Sequence, residues 1–236
     1  MTTLINFNKK KEVGIAYLHN KKIIRKFFLN QKKNKLMENE SNGHQWYSFR
    51  KKKNFNNYKF SITTKKNYID FPIIIGNKKN FWDYLEINYE ESLSVISHYK
   101  KIWPNQKVVP CHGDLTFSNI IFDKNQDPII IDWENFLIKK MNWGYDLSYF
   151  LISTVSLPSI FHNDKKIKVN ELLLLEKLWK KAFTFKKYKY LSNPVNFIKS
   201  AFGKTFILRD FSDYFPNLLS KYKIKQINET LKINFK

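Results

Sequence analysis

Val108-Val109-Pro110-Cys111-His112-Gly113-Asp114-Leu115-Thr116-Phe117-Ser118-Asn119-Ile120-Ile121-Phe122, followed after a short interval by Pro128-Ile129-Ile130-Ile131-Asp132-Trp133-Glu134, is the stretch on which the reading of this chain turns. Three short apolar runs, Val108–Pro110, Ile120–Phe122 and Pro128–Ile131, read as buried strands bounded by the turn-formers Gly113, Asp123, Asn125 and Asp127. Polar residues at the ends of such strands can face a common cleft. Asp114 and Asn119 share one loop, and Asp132 stands at the mouth of the next hairpin. There, one carboxylate can accept a hydroxyl proton, while a carboxamide and a second carboxylate hold a divalent cation through oxygen.

His112-Gly113-Asp114-Leu115-Thr116-Phe117-Ser118-Asn119 keeps the Asp-to-Asn spacing of the kinase catalytic loop, H-R-D-x-x-x-x-N. Ile131-Asp132-Trp133-Glu134 stands where kinases carry D-F-G, and Trp143-Gly144-Tyr145-Asp146-Leu147 follows. With Gly113 after the histidine, the ordered set resembles the aminoglycoside phosphotransferase and choline kinase-like family. The resemblance implies an α+β, protein-kinase-like two-lobe fold, with a small antiparallel β-sheet N-lobe and a mainly helical C-lobe. It also implies ATP-dependent phosphorylation of a hydroxyl on a small molecule of the sugar, amino alcohol or aminoglycoside type. Asp114 would be the catalytic base. Asn119 and Asp132 would hold Mg²⁺, with Glu134 reaching a second ion. His112 and Asp146 would support the site, Asp146 by accepting backbone N–H groups of the catalytic loop. An ordinary first-turn acid favoured by the helix dipole is the plainer reading of Asp146. A catalytically inactive kinase-like nucleotide-binding module is the alternative function; the retention of base and metal ligands together argues against it.

Before this stretch, Glu12–Leu18 and Lys22–Leu29 read as a β-hairpin turning at His19-Asn20-Lys21. Lys26 occupies the place of the phosphate-contacting lysine of the resembled fold, with Lys22 and Arg25 as rivals. No G-x-G-x-x-G is present. Lys35–Arg50 occupies the place of the helix that supplies the lysine with an acidic partner, Glu40 first and Glu38 second. Gly43 costs that helix about 1 kcal/mol relative to Ala and points to a short or irregular element. Trp46 and Tyr47 are expected to pack under the sheet. Tyr58–Thr63 and Tyr68–Ile75 read as further strands, and Phe71–Gly76 as the crossing between lobes, which divides the chain into residues 1–75 and 76–236.

A short helix is expected from Phe81 to Leu85, and an amphipathic one over Tyr89–Trp103, its Leu93, Ile96, Tyr99 and Trp103 at three- and four-residue intervals. Glu90 and Glu91 favour its start and Pro104 its end; His98 is expected at its surface or in a second layer. Further helices are expected over Asn142–Thr154, Leu172–Phe185, Asn196–Phe215 and from Asn217 to Lys236. Arg209, Asp210 and Asp213 are candidates to face the acceptor.

The composition bounds these expectations. With 236 residues, 43% hydrophobic and 17% aromatic, the chain can build one large domain or two small lobes. No run of eighteen apolar residues appears, so no membrane span is expected. No secretory signal is evident, and Cys111, the single cysteine, permits no internal disulfide; both fit a cytoplasmic protein. A Cys111–His112 nucleophile is disfavoured because neighbours on an extended loop point apart. The net charge of +22 is dispersed along the chain, among Lys, Asn, Ile, Phe and Tyr that an A+T-rich genome would favour. No specific nucleic-acid partner is expected from it, only salt-sensitive nonspecific binding. Nothing in the sequence fixes an oligomeric state.

Overall fold

The structure is a computed structural model that describes residues 2–8, 12–29, 34–54, 63–65, 67–183, 188–202 and 221–232. Its N-terminal part is an antiparallel sheet of five strands: β1 (Thr2–Asn8), β2 (Val13–Leu18), β3 (Ile23–Phe28), β4 (Thr63–Lys65) and β5 (Tyr68–Pro72), in the order β1-β2-β3-β5-β4. β1 is an addition to the expected hairpin. Lys22 sits in a left-handed turn between β2 and β3, outside the strand that carries Lys26. The expected Tyr58–Thr63 strand lies mostly outside the described residues, only its last residue falling within β4.

Across the sheet lies α1 (Asn34–Asn54), an unbroken helix of 21 residues through Gly43. The glycine answers to packing: a Cβ there would fall 2.5 Å from Trp133 Cβ and 2.9 Å from its Cγ. Trp46 and Tyr47 do not pack under the sheet as expected. They face the other lobe, Trp46 against Trp103, Trp133 and Phe136, and Tyr47 against Trp133 and His98. The sheet side of the helix is met by His44, whose ring lies 5.0 Å from that of Phe71. Gly43→Ala adds about 1 kcal/mol of helix propensity, but Trp133 is fully buried and has nowhere to move. Overpacking costs about 1–3 kcal/mol, so net destabilisation is expected in chemical denaturation. A more stable variant would mean that the contact with Trp133 is looser than it looks.

Residues 73–77 lead out of β5 and are bound to the second lobe at once. Asn77 and Phe122 exchange backbone hydrogen bonds of 2.8 Å each way, and a Cβ at Gly76 would strike the Phe122 carbonyl at 2.2 Å. The expected helix at Phe81–Leu85 is a run of turns instead. The Leu85 N–H, which a helix would bond internally, donates to Glu171 at 2.7 Å. α2 (Tyr89–Ile102) follows as expected, with Trp103 closing it. His98 is not at the surface: it is 3% exposed and hydrogen-bonds Tyr47 Oη at 2.8 Å. Burial holds its imidazole well below the usual histidine pKa.

β6 (Val108–Cys111) pairs with β9 (Leu137–Asn142), and β7 (Ile120–Phe122) pairs with β8 (Pro128–Ile130). β9 occupies residues that include the expected start of the next helix. That helix, α3 (Tyr145–Phe161), begins after Gly144 and is buried on nearly all sides, so it forms the axis of the lobe. α4 (Val169–Ala182), α5 (Pro194–Phe202) and α6 (Lys221–Lys232) surround it. The expected helix beyond Phe202, with Arg209, Asp210 and Asp213, lies outside the described residues. No helix among the described residues is long and apolar enough to cross a membrane.

Candidate active site

Lys26 reaches the site because strand alternation turns it inward from β3, opposite Arg25, which pairs with Asp70 at 2.7 Å. Its ammonium meets three carboxylates: Glu40 at 2.8 Å, Asp132 at 2.6 Å and Glu134 at 3.2 Å. Glu40, on α1, is 1% exposed and also receives His44 Nε2 at 3.0 Å, one helical turn on. Glu38 points to solvent. Burial works against the Lys26 charge, but the three carboxylates outweigh it and hold its pKa well above lysine's ordinary value. Glu40 is likewise held below the carboxylate range by Lys26 and His44, against its own burial.

Asp132 follows β8 with a φ of 61°, a left-handed conformation that a short polar side chain tolerates better than most. That turn aims its carboxylate at Lys26 while Trp133 plunges into the core, its ring 4.6 Å from that of His112. Burial, with Glu40 and Glu134 nearby, raises the Asp132 pKa, and Lys26 opposes the rise.

The second half of the site is the loop between β6 and β7. Asp146, at the start of α3, accepts the N–H of His112 at 2.8 Å and of Gly113 at 3.0 Å, and the Cys111 thiol at 3.0 Å. Those bonds fold the loop back over the helix. Cys111 is fully buried, its thiol pushed up in pKa by burial and by Asp146. His112 Nδ1 accepts the Asp114 N–H, and Nε2 donates to the Ile131 carbonyl. The ring thus ties the loop to the residue before Asp132. Asn119 donates from Nδ2 to the backbone carbonyl of Asp114 at 2.8 Å and to its Oδ2 at 3.2 Å. This leaves Asn119 Oδ1 as the atom that could hold a cation. Asp114 Oδ1 receives Tyr149 Oη at 3.3 Å. Burial raises the Asp114 pKa, and the charge of Asp132 adds to the rise.

The sequence-derived residues therefore fall into two adjoining groups. Lys26, Glu40, Asp132 and Glu134 form one; Asp114 and Asn119, braced by His112 and Asp146, form the other. The Ile131 N–H donates to the Asn119 carbonyl at 2.9 Å and joins them. Lys26, Glu40, Asn119 and Asp132 all line one cavity of about 330 Å³ between the sheet and the β7–β8 hairpin. Glu40, expected only to pair with the lysine, belongs with Asp132 and Glu134 to a set of carboxylates whose oxygens lie within 4.8 Å of one another. Such a set, with Asn119 Oδ1, offers the hard oxygen donors that Mg²⁺ prefers. Tyr149, His44 and Lys78 are site residues that sequence reasoning missed. The spacing of four between Glu40 and His44 was a usable signal for one of them.

Residues 78–160, which hold the loop of Asp114 and Asn119, Asp132 and Asp146, match the model of a phosphotransferase enzyme family. Over this stretch the chain is similar to that family. The two-lobe architecture is the kinase-like fold, with the sheet lobe lying ahead of the matched segment. No curated protein matches the chain.

Proposed function

We propose that this phosphotransferase moves the terminal phosphoryl group of Mg²⁺-ATP to a hydroxyl of a small molecule. The observation that carries the reading is the joining of two groups through Ile131: the loop of Asp114, a carboxylate able to accept a proton, and a lysine-centred carboxylate cluster suited to a nucleotide's metal. The cavity's apolar walls, including Ile15, Ile24, Phe71 and Ile121, fit a planar base.

In this mechanism Asp114 receives the acceptor's hydroxyl proton on a carboxylate oxygen. Tyr149 and Asn119 hold the carboxylate in place by their hydrogen bonds to its two oxygens. Asn119, Asp132 and Glu134 would hold Mg²⁺, with Glu40 close enough to share the task, and the bound ion would supply neutralising charge for the phosphates. Lys26 keeps this group of acids compatible with burial and lends its charge to the phosphates. Catalysis of this type is mostly positioning and charge neutralisation. ATP as donor and a single reduced thiol fit a cytoplasmic setting.

The test is a phosphate-transfer screen with Mg²⁺-ATP against sugars, amino alcohols and aminoglycosides, run beside Asp114→Asn as the blank. Transfer to a hydroxyl that disappears in the blank is the expected result. Failure to bind Mg²⁺-ATP at all would overturn the reading. Binding without transfer to any of these acceptors would favour a nucleotide-binding module.

A further inference from the structure

The cleft contains a second lysine that none of the motifs marks. Lys78 follows the Asn77–Phe122 bridge directly, so its backbone is fixed on the wall of the helical lobe, facing the sheet. Its ammonium donates to the Ser118 carbonyl at 2.8 Å, one residue before Asn119. It lines the same cavity as Lys26, Asn119 and Asp132.

The charges in the cavity are unequally shared. Lys26 is engaged by three carboxylates, two of them buried. Lys78 bonds a neutral carbonyl and forms no ion pair among the described residues. Partial loss of water lowers its pKa, and the nearby charge of Asp132 opposes that fall. A nucleoside triphosphate brings several negative charges into this space, and the single charge of Lys26 that meets them is already shared among three carboxylates. Releasing the Ser118 carbonyl costs the Lys78 ammonium one neutral hydrogen bond, and a phosphate oxygen offers a charge-assisted one in return.

We infer that Lys78 is a second nucleotide-binding cation, contacting the phosphate chain of Mg²⁺-ATP from the lobe opposite Lys26. The inference rests on the phosphotransferase reading above and adds a ligand-binding residue to it. Direct binding of Mg²⁺-ATP and of adenosine should be measured by calorimetry for the unaltered protein, Lys78→Met and Lys78→Arg. A hydrogen bond to a charged group accounts for roughly a ten- to hundredfold change in affinity. Lys78→Met is expected to weaken Mg²⁺-ATP by at least about tenfold on that basis, with adenosine affected less than about twofold. Lys78→Arg should restore most of the ATP affinity, which a loss of local structure would not allow. Equal weakening of ATP and adenosine, or Mg²⁺-ATP affinity indifferent to Lys78→Met, would overturn the assignment alone. No Mg²⁺-ATP binding by the unaltered protein would overturn the phosphotransferase reading and this inference with it.

Discussion

Asp114→Asn is expected to lower turnover by about two to four powers of ten, the usual contribution of a positioned general base, and to leave the protein at least as stable as before. The second half follows from the sign of the pKa shift. Burial and the charge of Asp132 raise the Asp114 pKa above its ordinary 3.8. The folded state therefore holds this proton more tightly than the unfolded chain does. At neutral pH, above both values, the ionised carboxylate costs folding free energy, and its amide isostere removes that cost. The Tyr149 hydroxyl retains an oxygen to bond, and Asn119 Nδ2, which loses Oδ2 as an acceptor, keeps the Asp114 backbone carbonyl. The same shift sets the pH profile of the unaltered enzyme. Only ionised Asp114 can accept the hydroxyl proton, so the acid limb of kcat/KM should lie above the range of a free aspartate. Thermal melting and a pH–rate series together check both parts. A variant that turns over near the unaltered rate, or one that melts well below it, would remove Asp114 from the role of base.

The loop of Asp114 and Asn119 was legible because its geometry is local. His112 to Asn119 carry their spacing within one turn, and the strands on either side are short apolar runs that can hardly be anything else. Lys26 and Asp146 were picked out by the resemblance, Lys26 from its place in the second strand of the hairpin and Asp146 from its place at the start of a helix. What escaped notice was set by partners distant in the chain. β9 contains Lys139 and Lys140 and shows no apolar alternation of its own; it is a strand because β6 offers it a ladder. His98 reads as a polar residue on an amphipathic helix, yet Tyr47 arrives from the other lobe to bond it. Gly43 reads as a helix breaker, and it is the residue that lets α1 approach Trp133. Trp133 in turn touches His112, Trp46, Tyr47 and Trp103, so one side chain buried beside Asp132 links the helix of Glu40 to the loop of Asp114. Lys78 and Tyr149 reach the site from segments with no motif, and only the fold brings them there.

That convergence gives Lys26 a structural part beside the binding role proposed for it. Lys26→Met keeps much of the side-chain volume and removes the charge, leaving Glu40 and Glu134 buried beside Asp132 with their principal counter-charge gone. Breaking a buried ion pair from one side costs about 3–5 kcal/mol, a large share of the 5–15 kcal/mol by which a typical domain is stable. His44 still offers Glu40 a partner, which places the expected loss toward the lower end. The three carboxylates are also the set suited to a divalent cation, so in the variant Mg²⁺ has a vacancy of charge to fill as well as a site. A ligand at a hundred times its dissociation constant stabilises the folded state by about 2.7 kcal/mol. Lys26→Met should therefore melt well below the unaltered protein in EDTA and recover a substantial part of the difference as Mg²⁺ is added, with Asp132→Asn in the same background blunting the recovery. The unaltered protein, whose carboxylates already share the charge of Lys26, should respond less to the metal. Lys26→Met as stable as the parent in EDTA would mean that the three acids are not held ionised together; a large loss that no Mg²⁺ concentration reverses would mean that they do not form a metal site.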